Sequence, residues 1–375
     1  MQNIAVLTSA RSEYGLLKPL LALIAEDKDL NLQLIVTGSH LWPDYGNTYK
    51  EIEDDGFEII EKIDIDSKTA TTSDISRAMG QCLEGVSQAL ERLNPGCLVI
   101  LGDRYELLPV CSAALIANIK IAHIAGGDIT EGAIDDKVRN AVSQLADWHF
   151  PGSIIAQEKL KRMGIPETNM HMVGETNVDS ILSIERISRR DLAIQLDLND
   201  RYDWIMVAYH PETRAERQLN IETMKNIFDV LLTLESINII VTRPNSDFGS
   251  DDLVKIIHEY SSRFKKIKFF ASLGQERYIS LLFQCQCIIG NSSSIVFDSP
   301  SVPLSAILVG DRQKGRLLHE NIIHIPHDKS QLIEALKIAT SEKFKIRTRS
   351  VKSQFGDGYA SMRIKEALKT ALETL

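Results

Sequence analysis

The stretch HIAGGDITEGAIDD, residues 123–136, crowds one histidine, a Gly-Gly pair and four carboxylates, Asp128, Glu131, Asp135 and Asp136, into a short span. An apolar run, IKIAHIA (119–125), leads into it and reads as a buried strand. Carboxylates gathered at one strand end push their pKa values apart, so that one donates a proton while another accepts it. That is equipment for general acid–base chemistry. The same residues also fit a plainer account. Asp135 or Asp136 would then cap the helix DKVRNAVSQLADW, whose Val138, Val142 and Leu145 fall at helical spacing.

Other strand ends carry reactive types as well. In TSARSEYG (8–15), Arg11 precedes a helix start, where free N–H groups favour an anion, although Ser12 would serve as a simple cap. GDRYE (102–106) sets Asp103 and Arg104 at the mouth of CLVIL, and His210 follows WIMVAY. GNSSSIVFDSP (290–300) offers serine hydroxyls and backbone N–H groups between strand and helix, the makings of a phosphate cradle. Ser292 as a plain N-cap is the alternative there. Asp298, about two helical turns on, is placed to accept from sugar hydroxyls. The chain has no G-x-G-x-x-G, Walker A or H-E-x-x-H motif and no evident metal-ligand cluster, so no cofactor or metal is expected.

Elements that position these residues recur along the chain. Continuous apolar runs, 4–9, 32–38, 97–103, 120–126 and 148–153, then 171–175, 204–210, 237–243, 267–273, 287–293 and 304–310, alternate with amphipathic stretches such as 14–28 and 75–93. Such alternation predicts βαβ units and parallel sheets. The series restarts after residue 175, which predicts two doubly wound domains, 1–175 and 176–375, facing a central cleft. Ligands of open α/β sheets sit beyond the carboxyl ends of strands. A chain of 375 residues is also long for one core. MQNIAVLTSA lacks the pattern of a signal peptide and no apolar run reaches a membrane span, so a cytoplasmic protein is expected. Five cysteines, an odd count in apolar contexts, predict buried free thiols. A net charge of −9 argues against nucleic acid and membrane surfaces but leaves room for a local anion pocket.

Taken together, GDRYE, HIAGGDITEGAIDDKVRNAVSQLADWHF (123–150), YHPET (209–213), GNSSS (290–294) and GDRQKGR (310–316) resemble the hydrolysing UDP-N-acetylglucosamine 2-epimerases of the NeuC-like branch. The resemblance spans nearly the whole chain. It implies an α/β, GT-B-like fold of two Rossmann-like domains, the last helix (361–375) crossing back to the first. It also implies the reaction: UDP-GlcNAc is converted to UDP and N-acetylmannosamine, for sialic acid, by anti elimination to 2-acetamidoglucal and addition of water. Residues implied to hold UDP are Arg11, Arg104, Asn245, Ser292, Ser293, Asp298 and Arg312. Those implied to be catalytic are Asp103, Asp135 or Asp136, and His210. Many relatives carry a glutamate in H-x-E-G-G where this chain has Ala125, so Asp128 or Glu131 is expected to supply that carboxylate. The partners implied are a UDP-sugar, UDP and further copies in a homodimer or homotetramer. Two other enzymes fit the same residues: the same reaction on UDP-N,N'-diacetylbacillosamine, and a GT-B glycosyltransferase.

Overall fold

Apolar runs with no polar face, such as Cys97–Leu101 and Ser305–Val309, are buried along their whole length and form interior strands. The computed structural model, which describes residues 1–66, 71–128, 134–212, 216–244 and 249–374, holds two six-stranded sheets. The first contains β1 (Gln2–Thr8), β2 (Leu30–Thr37), β3 (Ile59–Ile63), β4 (Cys97–Leu101), β5 (Lys120–Ile124) and β6 (Trp148–Phe150), in the order β3-β2-β1-β4-β5-β6. The second contains β7 (Asp203–Ala208), β8 (Ile237–Thr242), β9 (Ile267–Phe270), β10 (Cys287–Gly290), β11 (Ser305–Val309) and β12 (Ile322–Ile325), in the order β12-β11-β10-β7-β8-β9. Every pairing is parallel. Counted from its own first strand, each sheet has the doubly wound order, with the topology reversing between β1 and β4 and between β7 and β10. Successive strand residues face opposite sides. Ile4, Val6 and Val99 therefore feed one apolar layer of the first sheet, while Ala5, Leu7, Leu98 and Ile100 feed the other.

The chain divides into unit 1, Met1–Leu182 with Gln354–Leu375, and unit 2, Ser183–Ser353. In unit 1 the last helix, Ala360–Glu373, packs on the first, Arg11–Ala25. Lys365 and Lys369 reach Asp27 at 3.2 and 3.1 Å. The buried Asp179 accepts from the otherwise orphaned N–H groups of Ala360 and Ser361, at 2.9 and 2.6 Å. Asp179→Ala leaves both donors buried and unpaired, and should cost roughly 2–3 kcal/mol. The urea midpoint of unit 1 reads this, and an unchanged midpoint would show the cap to be idle.

Three expectations are corrected. HMVGE does not begin the second sheet: it runs beside β6 in unit 1, where His171 N donates to His149 O (2.9 Å) and Val173 N to Pro151 O (3.2 Å). Pro151 has no N–H to return, so the ladder stops there. The helix read across 178–196 breaks into Thr176–Ser183 and Arg189–Leu196. Strands β3 and β12 were not anticipated; both are edge strands with half-exposed side chains. All five cysteines are buried and free. No helix among the described residues is long and apolar enough to cross a membrane.

Candidate active site

Unit 1 opens a pocket of about 410 Å³ where its topology reverses, lined by Ser12, Glu13, Gly102, Asp103, Arg104 and Asp135 among others. Gly102 lets the chain turn after β4, at φ +85° with its N–H on Ile124 O at 3.0 Å. Asp103 follows and pairs with Arg139, a nearly buried guanidinium from the helix Ile134–Leu145. Arg139 also donates to Asp128 O at 2.9 Å. Lys159 donates to the same carbonyl (3.0 Å) and to the Asp136 carboxylate (2.9 Å). Asp136 is thus tied to Lys159, while Asp135 lines the pocket with Asp103. Burial pushes the Asp103 carboxyl above its ordinary value, with the Asp135 charge adding and Arg139 and Arg104 opposing. Glu131 lies outside the described residues.

The Gly-Gly pair is required by packing. A Cβ on Gly127 would lie 2.2 Å from Ala156 O, and one on Gly126 would crowd His123 and Ser143 at 3.0 Å. His123 itself is structural. Its ring lies between Gly102 O (2.8 Å) and Ser143 Oγ (3.1 Å), and burial pushes its pKa down to about 3, so it stays neutral.

Two acids inside the quoted motifs TSARSEYG and GDRYE were not singled out in the sequence. The fully buried Glu106 accepts from Arg104 at 2.8 Å, and Glu13 lies 4.0 Å from the same guanidinium. Glu13 is the third residue of its helix, the position from which a carboxylate reaches back past the cap. It accepts from Ser9 N (2.7 Å) and Ser9 Oγ (2.9 Å). Burial pushes it from 4.5 up to about 7. A carboxyl raised on folding binds its proton more tightly in the folded chain, so unit 1 should lose stability as pH climbs from about 4.5 towards 7. Glu13→Gln keeps an acceptor for Ser9 and should flatten that slope. Urea titrations at pH 5 and pH 8 test this, and an unaltered slope counts against it. Arg11 begins the same helix with its side chain largely exposed, its Nε 3.1 Å from Glu51.

Unit 2 builds the ends of β7 and β10 into one rigid turn. Asn291 N and Ser292 N both donate to Ala208 O at 3.1 Å. The fully buried Asn291 accepts from His210 N (2.7 Å) and donates to His210 O (2.9 Å), so it fixes the backbone that carries His210. Gln313 donates to Asn291 O at 2.8 Å, which fastens the 310–313 loop to the same turn. Ser292 caps the helix Ser293–Phe297 and accepts from Ser294 Oγ at 2.9 Å, with Ser293 exposed beside it. That helix ends just before Asp298, which still donates its N–H to Ser294 O at 2.9 Å and whose carboxylate accepts from Tyr278 O–H at 2.8 Å. Glu212 accepts from Asp311 N (3.0 Å) and Arg312 N (3.2 Å) and lies 3.3 Å from His327 Nε2. Burial alone would raise its carboxyl, but His327 and the two N–H groups hold it below the ordinary value. Glu212, Asn291 and Gln313 were not singled out in the sequence. All three stand inside quoted motifs, YHPET, GNSSS and GDRQKGR, which was the available signal. Asn245 lies outside the described residues. Among the described residues, no group of three or more His, Cys, Asp or Glu side chains is arranged to hold a metal ion.

Comparison with known proteins bears on this arrangement. The family model described as UDP-N-acetylglucosamine 2-epimerase matches residues 22–369. A Campylobacter jejuni protein named GDP/UDP-N,N'-diacetylbacillosamine 2-epimerase (hydrolyzing) is 35% identical over 92% of this chain and 89% of its own. A Legionella pneumophila protein named UDP-N,N'-diacetylbacillosamine 2-epimerase (hydrolyzing) is 31% identical over 99% of this chain and 96% of its own. The crystal structure of a Neisseria meningitidis UDP-GlcNAc 2-epimerase bound to UDP-GlcNAc superposes with a TM-score of 0.81 at 16% identity, covering 99% of this chain and all of that one. The two Rossmann-like sheets are of the GT-B type that these neighbours share.

Proposed function

We propose, of a chain that belongs to the UDP-N-acetylglucosamine 2-epimerase family, that it hydrolyses a UDP-linked 2-acetamido sugar with inversion at C2, releasing UDP and the free epimer. One observation carries the reading. Asp103, Asp135 and the Asp128 turn gather around Arg139 at the strand ends of unit 1, with the Asp103 carboxyl held above its ordinary pKa. Removal of the C2 proton and expulsion of UDP give 2-acetamidoglucal, and water then adds. Loss of UDP builds positive charge at C1, which nearby carboxylates stabilise. In this reading unit 2 holds the nucleotide through Ser292, Ser293, Asp298 and Arg312, with His210 at the phosphates, and Asn245 joins them by resemblance. Arg11 and Arg104 belong to the UDP set by resemblance. Arg104, gripped by Glu106, is fixed in place without waiting for a ligand.

The sugar is a choice between UDP-GlcNAc and UDP-N,N'-diacetylbacillosamine. The names of the relatives at 35% and 31% identity favour the second. Incubating the protein with each in deuterated water, following UDP release and deuterium at C2 by NMR, tests both. UDP released from neither sugar would sink the epimerase reading. Release that needs an added acceptor sugar would make the protein a glycosyltransferase instead.

A further inference from the structure

Ala125, at the end of β5, brings no carboxyl to the acid cluster, but a carboxyl arrives from another part of unit 1. Residues 170–173 run alongside β6, and Glu175 N donates to Phe355 O, so the segment is held from both sides. This delivers the Glu175 side chain onto Gly152, two residues past β6. A Cβ there would lie 2.0 Å from Glu175 Oε1 and 2.9 Å from Oε2, so only glycine leaves the carboxyl its place. Strands β5 and β6 pair through Ile124 and Phe150, and Ala125 N donates to Phe150 O at 3.1 Å. The turn Gly126–Asp128 and the Glu175 carboxyl therefore stand on adjacent strand ends.

We infer that Glu175 is a further acid–base residue of this centre, the carboxylic acid that gives C2 of the sugar its new proton. The inference rests on the epimerase reading above. Glu175 Oε1 is shielded from solvent and has no hydrogen-bond partner among the described residues, a condition that suits a neutral acid and penalises an anion. The charged groups that face it are Asp128, from the turn after β5, and Arg139, from the helix beyond it. On the segment that returns through Phe355, Asp357 and Arg363 pair with each other at 2.7 Å. Burial, with the Asp128 charge adding and Arg139 opposing, raises the Glu175 carboxyl well above its ordinary value.

The proton inventory closes. In the elimination a carboxylate of the cluster takes the C2 proton, the C2–H electrons become the C1=C2 bond, and UDP leaves with the C1–O pair. In the hydration the C1=C2 pair takes the proton of Glu175 at C2, a water oxygen bonds to C1, and the surplus proton of that water passes to a second carboxylate. The proton taken in the first step then returns to Glu175, and one proton leaves to solvent per turnover.

The test is Glu175→Gln, which fills the same space over Gly152 but has no proton to give. Measured with whichever UDP-sugar the wild type turns over, kcat should fall about 100-fold. UDP affinity should stay within twofold, which also certifies the fold. NMR should show the unsaturated 2-acetamido sugar building up, and the alkaline limb of the kcat–pH profile should vanish. Glu175→Asp should recover part of the rate and the limb. A kcat within threefold of wild type with the limb intact overturns the assignment. So does a slowed enzyme that builds up no unsaturated sugar and keeps the wild-type profile, since that is a merely structural role. A wild type that turns over neither sugar sinks the epimerase reading and this assignment with it. A working wild type beside an unimpaired Glu175→Gln sinks this assignment alone.

Discussion

Asp103→Asn should lower the rate of UDP release by about 10³-fold or more while UDP still binds. Asparagine matches the shape of aspartate and stays beside Arg139, but it can neither accept a proton nor stabilise positive charge at C1. The surroundings of Asp103 make the loss large. Its carboxylate sits at the mouth of β4, in ion contact with Arg139 and beside Asp135. Burial raises its carboxyl, so the acid limb of the wild-type rate profile should lie above the ordinary aspartate value of about 4. Below that limb the base is protonated and the reaction stops. UDP binding is expected to survive because the Asn291–Ser292 turn and the 310–313 loop are fastened within unit 2 by their own hydrogen bonds. Calorimetry with UDP and a coupled assay for UDP release separate the two effects. An Asp103→Asn enzyme within tenfold of wild type removes Asp103 from the reaction. A variant that binds no UDP points instead to a damaged fold.

Interior strands were legible because a strand buried on both faces has no polar side to confuse the pattern: CLVIL and IAVLT are read as they stand. The edge strands were not: EIIEKID sets half-buried residues alternately with exposed ones, and of Ile322–Ile325 only Ile325 is buried. HMVGE is apolar enough for a strand, but it runs beside β6, where Pro151 has no N–H to complete the ladder. Site residues that stand directly after a strand, such as Asp103 and Ser292, could be picked out because strand ends are where ligands meet open α/β sheets. Glu13, Glu106 and Glu175 could not. Each owes its place to a contact across the fold: Ser9 for Glu13, Arg104 for Glu106, and Gly152 and Phe355 for Glu175. The choice between Asp135 and Asp136 was likewise open in the sequence, because neighbouring helical residues differ only in which way they face. Lys159, more than twenty residues on, takes up Asp136.

Gly290→Ala should be the most damaging single-methyl change in unit 2. The added carbon would lie 2.0 Å from Ala208 O, 2.5 Å from Ala208 C and 3.0 Å from Tyr209 N. All three are backbone atoms of the neighbouring strand end, so no rotamer change makes room. The backbone at Gly290, with φ +146°, is also one that alanine adopts only under strain. Relief requires β10 to move off β7, which breaks the two donations to Ala208 O and the Asn291 bridge to His210. The expected cost is about 3 kcal/mol or more, with UDP affinity reduced at least 100-fold in whatever remains folded. Gly46→Ala is the fitting control. Gly46 has φ +87° but open space around it, so alanine there meets backbone strain of about 1–2 kcal/mol and no collision. Hydrogen exchange along β7 and β10, with UDP calorimetry, distinguishes crowding from strain. If Gly290→Ala melts no earlier than Gly46→Ala and still binds UDP, the tight crossing of β7 and β10 is not what holds the serine turn in place.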